Sequence, residues 1–145
     1  MLKHFVAITA AWLVVGLADL PIAVVAAPDS PVRLDHLKVF SADDGPPVLL
    51  YAATNLTGDP LDQFTVTVFV FGKDRLLKAR QVAPGRRNLD ARETKYSAMV
   101  LDVGPIEPTD SLMAGVDQAQ KVGSDDWWRF DLRTLAEQTV TGKKP

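Results

Sequence analysis

The chain has 145 residues, 47% hydrophobic and 23% charged, with a formal net charge of −2 and no cysteine. That balance excludes a disordered chain and a dedicated polyanion binder, and it fits one ordinary globular domain. Without cysteine there is no disulfide staple, no thiolate metal site and no thiol to lipidate, so stability has to come from a packed core.

The first stretch, MLKHFVAITAAWLVVGLADLPIAVVAAPDS, has three parts. Lys3 and His4 form a basic head, Phe5 to Ala18 is apolar, and small residues follow the break at Asp19 and Pro21. This pattern predicts a secretory signal peptide over residues 1–26, ahead of a single domain over 27–145. Cleavage after Ala26 would put Val24 and Ala26 at the small-residue positions; a cut after Ala18, with Gly16 two residues earlier, meets the same requirement. A retained membrane anchor is the competing reading, because Phe5 to Ala27 approaches bilayer-spanning length, but Asp19 and Pro21 interrupt that span. The expected location is periplasmic or extracellular, with membrane contact only if the segment is kept.

Short alternating stretches then recur at the spacing of an all-β domain. In order they are VRLDHLKVFSA, VLLYAATN, DQFTVTVFVF, RLLKARQV, TKYSAMVLDV and SLMAGVDQA, separated by DDGPP, NLTGDP, GKD, APGRR and GPIEP. Gly supplies positive φ and Pro fixes φ, so each separator favours a turn. In the first strand Val32, Leu34 and His36 share a side. The tail SDDWWRFDLRTLAEQTV alternates at Trp128, Phe130 and Leu132 yet also fits helical spacing. It is read as a strand to about Leu132 followed by one helical turn. Together these elements predict an Ig-like antiparallel two-sheet sandwich of about seven strands with a short C-terminal strand or helical turn.

The stretch DQFTVTVFVFGKD poses a problem of coverage. Phe64, Val66, Val68 and Val70 form one apolar row, expected to face the core against Leu50 and Leu101. The opposite row, Thr65, Thr67, Phe69 and Phe71, begins polar and ends aromatic. Two rings left in water forgo about 1.5–3 kcal/mol each. The tail with Trp127, Trp128, Phe130, Leu132 and Leu135 is therefore expected to fold over Phe69 or Phe71. Failing that, Phe69, Phe71, Trp127 and Trp128 would form an apolar patch for a partner.

From residue 50 to 103 the order LLYAATN, LTGDPLD, FTVTVFVFG, KDR, LLKARQV, APGRRNLDARET, KYSAMVLDV resembles bacterial FxLYD-type domains and their exported Ig-like relatives. The motif that names the family would fall on Val68 to Gly72, where Val68, Val70, Phe71 and Gly72 replace its Phe, Leu, Tyr and Asp. The likeness rests on hydrophobic pattern and turn placement over less than half the chain. It implies a small exported sandwich with no catalytic residues to carry over.

Chemistry is narrowly bounded. Beyond the leader, His36 is the lone histidine, so a Ser–His–acid relay or a zinc site has no adequate ligand set. Asp43–Asp44, Asp59–Asp62 and Asp125–Asp126 lack the spacing of a calcium loop and read as solvated turns. No catalytic residue, metal or cofactor is predicted. Lys73, Arg75, Lys78, Arg80, Arg86, Arg87, Arg92 and Lys95 face only Asp74, Asp90 and Glu93. Within this run, Arg75, Lys78, Arg80, Arg86 and Arg87 are the candidate surface for an anionic cell-envelope component or an acidic protein partner. The blander reading is an edge strand kept from aggregating by its charges. Nucleic acid is disfavoured, since no aromatics interleave with the run. NLT at 55–57 matches a glycosylation sequon but is read as a turn, because leader and resemblance both point to a bacterial protein. The expected function is an exported, non-enzymatic binding or accessory domain. The alternatives are a carboxylate-based extracytoplasmic hydrolase and a membrane-tethered structural subunit.

Overall fold

The computed structural model describes residues 18–41 and 43–142; residues 1–17 of the expected leader lie outside the described residues. Among the described residues, nine strands and one helix follow in order. They are β1 (Ala18–Leu20), β2 (Ile22–Val24), β3 (Val32–Ser41), β4 (Val48–Asn55), β5 (Leu61–Phe71), β6 (Leu77–Pro84), β7 (Thr94–Val100), β8 (Ser111–Lys121), β9 (Trp127–Arg129) and α1 (Leu132–Thr141). One sheet runs β1-β3-β4-β7; the other runs β2-β8-β5-β6, with β9 also paired to β8. Pairing is antiparallel except between β2 and β8, which run parallel.

The alternation of β5 decides what lies between the sheets. Phe64, Val66, Val68 and Val70 are all buried, and they share a core cluster with Leu49, Tyr51, Leu101, Leu112, Ala114 and Val116. Leu50 does not join them. In β4 the buried row is Leu49, Tyr51, Ala53 and Asn55, so the partner of the Phe64 row is Leu49, and Leu50 faces outward. Both rows of VLLYAATN are apolar, and a one-residue choice of row moves every side chain to the other face.

In β3 the expected grouping of His36 with Val32 and Leu34 is also broken. A bulge between Asp35 and Lys38 shifts the register, and His36 sits there at φ 53°, exposed and outside the core. The one extra residue of the bulge switches the faces of the remainder of the strand, so Val39 takes the next inward position.

Asn55 ends β4 fully buried. Its Nδ2 donates to the carbonyls of Asp59 at 2.8 Å, Leu89 at 3.1 Å and Asp90 at 3.1 Å. Its Oδ1 accepts from the N–H and the hydroxyl of Thr57, at 2.9 and 2.8 Å. The amide thus joins the β4–β5 turn to the β6–β7 loop, and the sequon nitrogen is consumed by the fold. NLT thus spans the last residue of β4 and the start of the β4–β5 connection.

The tail differs in its boundaries from the expected ones. Its strand stops at Arg129, and the helix runs ten residues. Asp131 caps the start: Thr134 donates its N–H to Oδ1 and its hydroxyl to Oδ2, at 3.2 and 2.7 Å. Gly142 closes the end in a left-handed conformation at φ 70°.

Candidate functional site

The two outer sheet faces differ in what covers them. On the β5–β8 sheet, Phe69 and Phe71 are 1% and 0% exposed. Leu132 and Ala136 of α1 cover them, with Met113 and Val25, and Phe130, Leu135 and Val140 pack at the margin. The helix presents Leu132, Leu135, Ala136 and Val140, the spacing of one helical face. The tail does cover the two rings, as the sequence leads one to expect, but the tryptophans are not what covers them. Trp128 pairs with Ala119 and packs on the main core, while the Arg129 guanidinium lies 5.9 Å from the Trp127 ring centre. Phe69 pairs with Met113, six residues from Ala119 along β8, or about 20 Å away. The four aromatics therefore do not form one exposed patch.

The face of the β4–β7 sheet is different. Leu50, Tyr96 and Val100 point to solvent at 39%, 66% and 57% exposure. Register places Val48 opposite Val100, Leu50 opposite Ala98 and Ala52 opposite Tyr96, so these side chains form one row of neighbours. The His36 ring stacks on Tyr96 with centroids 6.4 Å apart and planes 30° from parallel. A shallow depression of about 580 Å³ lies among His36, Lys38, Leu50, Tyr96 and Ala98. Beneath it, burial pushes the Tyr51 phenol up, an effect offset in part by its hydrogen bond to Ser97. The sequence does not mark this face, because TKYSAMV alternates two rows that each carry apolar residues.

The basic run is dispersed. Lys78 and Arg80 lie on β6, Arg75 in the β5–β6 turn, and Arg86 and Arg87 in the loop after β6. Eight residues separate Lys78 from Arg86, about 26 Å of extended chain. Lys78 pairs with Asp110 at 2.7 Å and Arg87 with Asp62 at 2.9 Å. Arg86 donates to the Tyr96 carbonyl at 3.3 Å. Arg80 lines an 80 Å³ cavity with Thr67, Asp117, Asp131 and Arg133 beneath the start of α1.

β6 and β7 each form one edge of their sheets among the described residues. Gln81 bridges them, donating to the Val100 carbonyl at 3.0 Å and accepting from the Asp102 N–H at 2.7 Å. Arg86 caps a second β7 carbonyl in the same way. Charged and amide side chains on an edge suppress strand addition.

Another concavity, about 870 Å³ and wide open, lies between the β5–β6 turn and the β7–β8 loop. Asp74, Glu107 and Asp110 line it with Lys73 and Lys78. The Lys78 ammonium and the Glu107 N–H hold the Asp110 carboxyl below the usual carboxylate range. A carboxyl kept ionised in this way is a poor proton donor at neutral pH. Among the turn aspartates, Asp59 pairs with Lys121 at 3.0 Å and Asp62 with Arg87. Among the described residues no group of three or more His, Cys, Asp or Glu could hold a metal ion. Comparison with protein-family models, curated proteins and solved structures finds no match.

Proposed function

We propose that the protein is an exported, non-enzymatic sandwich of Ig-like topology that binds a partner protein through the outer face of the β4–β7 sheet. The uncovered row of Leu50, Tyr96 and Val100 carries this reading. Among the described residues, a helix covers the equivalent face of the other sheet and no element covers this one. Aromatic and aliphatic side chains grouped with a histidine suit a protein partner better than an anionic glycan, because aromatics are enriched and charges depleted at interface cores. The capped β7 edge favours docking on the face over addition of a strand.

The strand pairing supports the Ig-like part. In an Ig sandwich, A, B and E share one sheet, while C′, C, F and G share the other. Matched in chain order, β3, β4 and β7 take the first set of places, and β6, β5, β8 and β9 the second. A photoactivatable residue in place of Tyr96 or Val100, in the chain expressed in its host, should give one cross-linked adduct. The same residue in place of Val122, exposed but distant in sequence from that row, should give none. Adducts from Arg86 and Arg87 alone would overturn this reading in favour of the basic loop.

A further inference from the structure

We infer that the segment from Asp19 to Ala27 is a structural part of the sandwich, and that the leader is removed between Ala18 and Asp19. This rests on the export reading above. Both cleavage points carry small residues in the required places, and the sequence alone puts the cut after Ala26 first. Packing separates them. Leu20 pairs with Val39, and Ile22 to Val24 run beside Leu112 to Ala114 of β8. The Val25 N–H donates to the Ala114 carbonyl at 2.9 Å. Val25 itself is buried with Phe69, Phe71, Met113, Leu132 and Ala136, and Ala27 is buried two residues on.

Gly115 is the decisive residue. A Cβ built there would stand 2.2 Å from the Val25 carbonyl oxygen, a backbone atom that cannot swing away, and 2.9 Å from Leu132 Cδ1. The body of β8 is thus glycine at the point where the N-terminal segment crosses it. A cut after Ala26 would remove β1, β2 and Val25, uncover part of the Phe69–Phe71 cluster, and start the chain at a buried residue. A cut after Ala18 removes one residue of β1 and leaves the rest. In that step a leader peptidase hydrolyses the Ala18–Asp19 amide. Water supplies the oxygen of the new Ala18 carboxylate, and the Asp19 nitrogen leaves as the α-amine.

Two measurements test this. The first is the mass and N-terminal sequence of protein recovered from outside the cytoplasm, with Ala18→Gln and Ala26→Gln variants alongside. Ala26 is exposed, so its variant keeps the fold. The expected result is a chain beginning at Asp19, a precursor that accumulates in A18Q, and normal processing in A26Q. A chain beginning at Ala27, with A26Q blocked, overturns the cleavage assignment. An uncut chain confined to the cytoplasm instead overturns the export reading, and the cleavage assignment falls with it.

The second measurement is thermal melting of purified chains 19–145 and 27–145, which does not depend on export. The shorter chain should melt more than about 10 °C lower, or fail to fold. Gly115→Ala should lower the Tm of 19–145 markedly, since the new methyl meets the Val25 carbonyl. Where 27–145 folds, the same substitution should cost it little, because only the mobile end of Leu132 remains in its way. Equal melting of the two chains, or a G115A loss of equal size in both, removes the structural role of the segment.

Discussion

The outer faces of the two sheets begin from similar chemistry and end differently. On β5 an outward row ends in Phe69 and Phe71, and α1 and Val25 bury both rings. On β4 and β7 an outward row of Leu50, Tyr96 and Val100 meets no such cover among the described residues. Apolar residues on an outer row therefore do not by themselves announce a binding face. What matters is whether the chain has another segment to lay across them, and this chain spends its tail on one sheet only.

The largest effect should come from removing that cover. Deleting residues 131–145 should lower the Tm steeply and raise binding of a hydrophobic dye, since the rings and Met113 would meet water; an unchanged Tm would mean that the two faces are equivalent after all. Leu132→Ala isolates one contact within the cover. It should cost about 2–5 kcal/mol in denaturant unfolding, as transfer and cavity contributions add at a buried leucine.

Val68→Ala probes the space between the faces and should cost about 1–3 kcal/mol. A change within error there would place the Phe64 row on the outside. Asp110→Asn should act through pH. Its carboxyl is lowered in the folded chain by Lys78 and the Glu107 N–H, so its stabilisation is present above an unfolded value of about 3.9 and fades as pH falls through the folded one. The wild-type advantage in Tm over the variant should therefore shrink on acidification and vanish below the folded value. The smallest effect belongs to the open face. Tyr96→Ser with Val100→Ser should change stability by less than about 0.5 kcal/mol each while abolishing partner capture. A large loss of stability would show that these residues pack rather than bind.

Much of the β-structure was legible because β5, β6 and β8 alternate or run apolar between Gly- and Pro-bearing turns. The coverage of Phe69 and Phe71 was legible too, since two rings in an otherwise polar row demand a partner and the tail was the apolar segment left over. Four things were not. Leu49 and Leu50 are chemically alike, so the inward row of β4 depended on register with β7, a long-range property. The length of α1 was hidden because Asp131 and Thr134 form its cap, whereas the alternation of Trp128, Phe130 and Leu132 favoured a longer strand. The strands at Ala18–Leu20 and Ile22–Val24 sit in a stretch whose apolar character also fits a leader, and composition does not distinguish an edge strand from a cleavage region. The open face itself left no mark, because the exposure of Tyr96 depends on which described segments lie above β7, and none does.

Asn55 also bears on how the molecule comes apart. Its amide bonds carbonyls 34 and 35 residues further along the chain, so they can form only after β5 and β6 have turned back and brought the loop to it. The β5–β6 hairpin closes over a short turn and needs no such help. The amide is thus a latch fastened late. Interactions made after the folding barrier slow unfolding without hastening folding. Asn55→Ala should speed unfolding many-fold and leave the refolding rate nearly as it was, so this one side chain would govern how long the folded domain lasts.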